Sequence, residues 1–185
     1  EVFTKLEDSL AGVIPYLAQG SLFVRGGAVG WQGQAILLPG YGVGITTLVT
    51  ALLQAGASYY GDYYTILDPE GKVHPYLTPL MIQTGCGENA NKVSAEALGG
   101  SPGEDPLPVG LIAWTTYEAG ARWRPRALAP SRAVLSLLPS TPARRNAEFA
   151  LPVLRRAVSG ARLLRSKRGE AEATAKALLA AIGDQ

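Results

Sequence analysis

The stretch Leu37–Leu48, LLPGYGVGITTL, decides how this chain is read. An apolar run enters three glycines, Gly40, Gly42 and Gly44, and a threonine pair, Thr46 and Thr47, leads into a second apolar run. A phosphate-binding loop needs glycines so that backbone N–H groups can approach an anion. It needs a helix N-terminus behind them, whose open N–H groups and dipole favour negative charge. It also needs a lysine for the outer phosphates and a hydroxyl for magnesium, in the pattern G-x-x-x-x-G-K-[ST]. A strand at Ala35–Leu38, the glycines and a helix from Thr46 meet the first two demands, and Thr46 stands where the hydroxyl belongs. The third demand fails, because Ile45 occupies the lysine position. The loop is also one residue short, since Gly40 lies four positions before Gly44. The residues alone leave two readings open, a phosphate loop or a glycine turn before a helix.

Periodicity extends the pattern outward. Phe3, Leu6, Leu10, Val13, Ile14 and Leu17 recur at helical spacing and predict a helix over residues 2–18. Ser21–Val24 reads as a short strand halted at Arg25-Gly26-Gly27, with extended chain resuming over Ala28–Trp31 and a hairpin tip at Trp31–Gln34. Thr46–Ala55 carries one apolar helix face, stopped by Gly56. Ser58–Tyr60 and Tyr63–Leu67 read as strands around Asp62, and Asp68–Gly71 as a turn leading to a strand at Lys72–Leu77, so that residues 58–80 look like a hairpin. Residues 85–108 form a long Gly-, Pro- and acid-rich loop, and Val109–Thr116 is a strong strand. Beyond it come a capped helix at Ser131, a helix from Pro142 through Val158 that Pro152 should kink, and an Ala-rich helix over Gly169–Ile182. Strands first and helices behind them predict a mixed α/β domain.

The chain has 185 residues, which suits one domain. One cysteine, Cys86, permits no internal disulfide and suits a reducing compartment. The opening EVFTKLEDSL is not a signal peptide, and no apolar run approaches the roughly 20 residues of a membrane span. The expectation is a cytoplasmic protein. The net charge of +2 conceals an asymmetry: Arg122 to Arg168 contains eleven Arg, Lys167 and a single acid, Glu148. Such a segment faces an acidic protein or phosphates, or forms solvated helices whose Arg stems cover apolar surface. Nucleic acid is not expected, since neither aromatic interleaving nor a recognised motif accompanies the charge.

The series FVRGGAVGWQGQAILLPG, TTLVTALLQAGASYYGDYYTILD and GKVHPY, with the later YEAGARWRPRALAPSRAV and the Arg-rich tail, resembles the HPr kinase/phosphorylase family. Within it, the series is most similar to kinase-like relatives sharing the phosphoenolpyruvate-carboxykinase-type P-loop fold. The resemblance runs from about Phe3 to Leu179. It implies a mixed sheet with a phosphate loop between strand and helix, and ATP-dependent phosphorylation of a serine hydroxyl with magnesium. Where that family carries His-Gly, this chain has Arg25-Gly26; where it carries Gly-Lys-[Ser/Thr], it has Gly44-Ile45-Thr46. In place of two adjacent acids, one for magnesium and one for the substrate proton, it has Asp62-Tyr63. Phosphoryl transfer is mostly positioning and charge neutralisation. A charge-assisted contact contributes about 1.5–3 kcal/mol, and about 1.4 kcal/mol is tenfold in rate. Losing several together removes many orders of turnover unless Arg25 or an Arg of the basic segment substitutes.

The expectation is one HPr-kinase-like domain over residues 1–185: a sheet-rich core with a degenerate phosphate loop at 1–120 and an Arg-rich helical tail at 121–185. It would serve as a non-catalytic binding or scaffold subunit with a protein partner, and by analogy with the family as an oligomer. An atypical serine kinase and a nucleotide or anion sensor without turnover are the alternatives. If nucleotide binds, Gly40, Gly42, Gly44, Thr46 and Thr47 hold phosphate, and Thr46 and Asp62 hold magnesium, Asp62 being the remnant of the catalytic pair. Arg25 and the alternating Arg122, Arg124 and Arg126 are candidates for an anion or an acidic partner. Lone His74, Cys86 and the tyrosines around Asp62 read as structural.

Overall fold

A computed structural model describes residues 20–40, 42, 44–83, 90–141 and 147–183. The expected first helix, Cys86 and Pro142 lie outside the described residues. The strands are β1 Leu22–Trp31, β2 Gln34–Pro39, β3 Ser58–Gly61, β4 Tyr64–Leu67, β5 Val73–His74, β6 Leu80–Gln83, β7 Ala90–Val93, β8 Ser101–Pro102, β9 Val109–Tyr117, β10 Arg126–Ala127 and β11 Arg162–Arg168. The α-helices are α1 Ile45–Gln54, α2 Pro130–Leu137, α3 Ala147–Val158 and α4 Ala171–Gly183. Among the described residues no helix is long and apolar enough to cross a membrane.

The main sheet runs β10-β11-β9-β2-β1-β3-β8. Its pairings make β2, β3, β8, β9 and β11 parallel to one another and β1 and β10 antiparallel to them. The fold is therefore mixed α/β. β2 and β9 are buried on both faces, which is why ILL and GLIA read as unbroken apolar runs. Ile36, Leu38, Leu111 and Leu164 pack on one face against α1 and α4. Leu37, Ile112 and Leu163 pack on the other against α2 and α3.

Several sequence expectations change. Residues 22–31 are one strand, not two, because the glycines serve close approach instead of a turn. Its first half pairs with β4 and its second with β2 and β3. A side chain at Gly26, whose φ is 143°, would drive into the Leu38 carbonyl. The hairpin tip is present, with Gln32 and Gly33 both at positive φ, as a two-residue turn between twisted strands requires. Residues 58–80 are not one hairpin: β3 and β4 pair successive parts of β1, and only β4 and β5 form a hairpin around Asp68–Gly71. Within the expected long loop lie β7, which pairs with β6, and β8, which pairs with β3. Pro152 sits inside a continuous α3, where it forfeits its own backbone hydrogen bond without splitting the helix.

The largest correction concerns the tail. Residues 121–185 are not wholly helical, because β11 inserts between β9 and β10 and runs parallel to β9 along its whole length. Gly160, at φ 87°, turns the chain out of α3 into this strand. Part of the basic segment thus belongs to the sheet.

Candidate functional site

Parallel strands bring their carboxyl ends to one edge of a sheet, and in open α/β sheets ligands bind there. Here that edge collects the loop after β2, Asp62 after β3, and Tyr117 and Arg168 at the ends of β9 and β11. A cleft of about 740 Å³ opens at the loop. Gly40, Gly42, Gly44, Ile45, Thr46, Thr47, Asp62 and Tyr63 line it, with Met81 and Ile82 of β6 on its far wall. The sequence-derived loop candidates and Asp62 therefore share one site.

The loop is shaped by backbone. Gly40, Gly42 and Gly44 have φ of 140°, 68° and 70°, values that residues with a Cβ rarely adopt. Gly44 is the N-cap of α1, with no side-chain cap, and the helix has no acid in its first turn. Its first N–H groups thus lack intrahelical acceptors. β1 lets α1 approach by presenting Gly27, where a Cβ would stand 2.5 Å from Val49 Cγ2 and 3.0 Å from Ile45 Cγ2.

Ile45 is 7% exposed and belongs to the core under α1. With Leu48, Val49, Leu52 and Leu53 it forms a buried stripe at i, i+3, i+4, i+7 and i+8. The position that would carry a lysine is instead the first rung of that stripe.

Asp62 is 5% exposed, and its Oδ2 accepts a 2.8 Å hydrogen bond from Thr46 Oγ1. Burial pushes its carboxyl above the usual range, opposed by the Thr46 bond and a backbone N–H. A hydroxyl on the first helical turn beside a carboxylate at a neighbouring strand end fits a magnesium ion's oxygen preference. The residues present thus fit the metal half of a phosphate site. Among the described residues no Lys or Arg lines the cleft, so a phosphate there would be held by backbone N–H groups of the glycine loop and of the α1 start.

Tyr63, where a second acid was expected, is 48% exposed at the rim. Its φ is 72°, and Tyr64 N–H bonds to Asp62 O at 2.9 Å, closing a tight γ-type turn around it. The Arg25 guanidinium lies 5.9 Å from the Tyr63 and Tyr64 ring centres, and its Nε donates to the Tyr64 hydroxyl at 3.4 Å. Arg122, Arg124 and Arg126 are exposed on the segment after β9 and do not line the cleft. His74 bonds Asp68 at 2.9 Å, in keeping with a structural role.

Arg168 is the residue that the sequence did not single out. It is 2% exposed, and its guanidinium donates to Gly44 O at 2.8 Å and Gly169 O at 3.0 Å, 5.4 Å from the Tyr117 ring. Burial lowers its pKa from the usual guanidinium value, with Tyr117 and Glu170 acting the other way. Its cation braces the carbonyl that starts α1. The one sequence hint was that Gly160 and Gly169 bracket eight residues, a length that suits a strand, although their polar content hid it.

No family model matches the sequence, and no curated protein matches it. Among solved structures the chain is similar to the Hpr(Ser) kinase/phosphatase from Coxiella burnetii. The superposition covers 88% of this chain and 94% of that one at 11% identity, with a TM-score of 0.47. The likeness is one of shape. What the cleft does is argued from its own residues.

Proposed function

We propose that this chain is a catalytically silent, kinase-like domain that serves as a non-catalytic binding subunit of a protein assembly. One observation carries the reading: Ile45 is packed into the core where a phosphate loop presents its lysine, and among the described residues no cation lines the cleft. A buried acid with no cation among the described lining residues disfavours a triphosphate unless a metal intervenes. The second acid, which would take a substrate proton, is replaced by a tyrosine with no carboxylate to offer. Incubating the purified chain with ATP, magnesium and serine-containing peptides should give no phosphoserine above a no-protein blank. Transfer at an ordinary enzymatic rate, on the order of 1 per second, would end the proposal.

A second reading has its own support. The Thr46–Asp62 hydrogen bond keeps the two magnesium-directed groups together, which favours a magnesium-dependent nucleotide or anion sensor without turnover. It predicts a thermal shift with ATP and magnesium that vanishes without the metal and in Asp62→Ala. No shift under any of these conditions leaves the pure scaffold.

A further inference from the structure

The face of the sheet opposite α1 carries a second hollow. A groove of about 1010 Å³ runs between α2 and α3, lined by Val134, Leu135, Pro152, Val158, Arg155 and Arg156 among others. Its floor is apolar, and Leu135 is 65% exposed beside it. An aliphatic side chain left this open on a helix already packed by Ala133 and Leu137 is not needed by the core.

The rim is basic. Arg155 and Arg156 come from the last turn of α3, and Arg132 is exposed on α2 next to the groove residue Ser131. Among the described residues no ion pair joins Arg132, Arg155 or Arg156 to a carboxylate. The chain between Arg122 and Arg168 supplies one acid, Glu148, against twelve cations. A surface that holds uncompensated arginines around an apolar slot is complementary to apolar anchors flanked by carboxylates.

We infer that the α2–α3 groove docks an acidic amphipathic helix of a partner protein, its apolar residues on Val134 and Leu135 and its carboxylates on Arg132, Arg155 and Arg156. Two helices with a slot between them form the groove in which an amphipathic helix lays its apolar face. This deepens the non-catalytic reading and rests on it for the purpose of the surface, while the surface itself is far from the loop cleft and uses none of its residues.

The test uses the full chain and a fluorescent synthetic peptide with leucines at i, i+3, i+4 and i+7 and glutamates elsewhere. A second peptide carries lysines for the glutamates, and a third probe is single-stranded RNA. The glutamate peptide should bind, and the lysine peptide should bind at least about tenfold more weakly, as reversed charge at such a rim demands. Leu135→Asp and Arg155→Glu should each weaken the glutamate peptide by about tenfold or more. Both positions are exposed, and Arg132→Glu serves if either variant fails to melt cooperatively. The inference is overturned by no binding of the glutamate peptide, by equal binding of both peptides, or by insensitivity to every variant. Tighter binding of RNA overturns it too, as does self-association abolished by Leu135→Asp, since a second copy would then fill the groove. Failure here leaves the phosphoserine assay untouched, and turnover there leaves peptide binding untouched, so the two readings fail separately.

Discussion

The loop cleft and the α2–α3 groove are built on opposite principles. In the cleft the backbone does the shaping: three glycines at positive φ, an uncapped helix start and one buried carboxylate. In the groove side chains do it, with an open leucine and several exposed arginines over an otherwise satisfied helix pair. The cleft is tied into the core through Ile45, Gly27 and Arg168, so changing it changes stability. At the groove Leu135, Arg155 and Arg156 are exposed, so changing them should alter binding and little else. The comparison separates a site held by the fold from a surface free to vary on it.

The largest effect should come from Gly26→Ala on the cleft side. The added methyl meets the Leu38 backbone at a φ that alanine avoids, and urea denaturation should show a loss of about 3 kcal/mol or more. Normal stability would mean that β1 is not pressed against β2 just before the loop. Next is Ile45→Lys, which restores the motif letter but removes a buried aliphatic from the core. A loss of about 1.5–3 kcal/mol is expected, with no gain of ATP turnover because the loop remains one residue short. Turnover in this variant would show that the lysine was the only missing part.

Asp62→Asn should act in the other direction, and less strongly. Burial raises the folded-state pKa of Asp62 above its unfolded value, so the folded protein holds that proton more tightly. Stability is therefore lost as pH rises from the ordinary carboxylate range through the raised value. The amide avoids this loss and still accepts from Thr46, so its melting temperature should exceed wild type at pH 7, with the gain fading toward pH 3.5. A lower melting temperature at pH 7 would mean that the carboxylate is compensated in the folded state. The smallest effect belongs to the groove: Leu135→Ser should change stability by no more than about 0.5 kcal/mol, measured by the same urea titration. A large loss would show that this leucine belongs to the core and would bring the two regions into one class.

Much of the cleft was legible in the sequence because local rules govern it. A buried strand, glycines and an amphipathic helix must follow one another within a dozen residues, and Gly56 stops the helix at φ 96° as its position suggested. Asp62 was legible through the resemblance, and its approach to Thr46 follows from two parallel strands ending at one edge. β11 was not legible, because RLLRSKR is too polar to look like an interior strand. Its exposed arginines lie where the sheet nears its edge, and only Leu163, Leu164 and Arg168 are buried. Arg168 was hidden for the same reason, since its 124-residue separation from Gly44 leaves no local signature.

The sequence by itself determined the strand–loop–helix unit, the isoleucine that follows Gly44 and the basic character of the last third. Those are properties of short segments, where periodicity, glycine and charge act between near neighbours. Only the tertiary structure decided that Ile45 is core, that Arg168 braces Gly44, and that exposed arginines gather around an apolar groove. Each depends on which distant strands pair and in what direction, and sheet pairing is set by the packing of the whole chain.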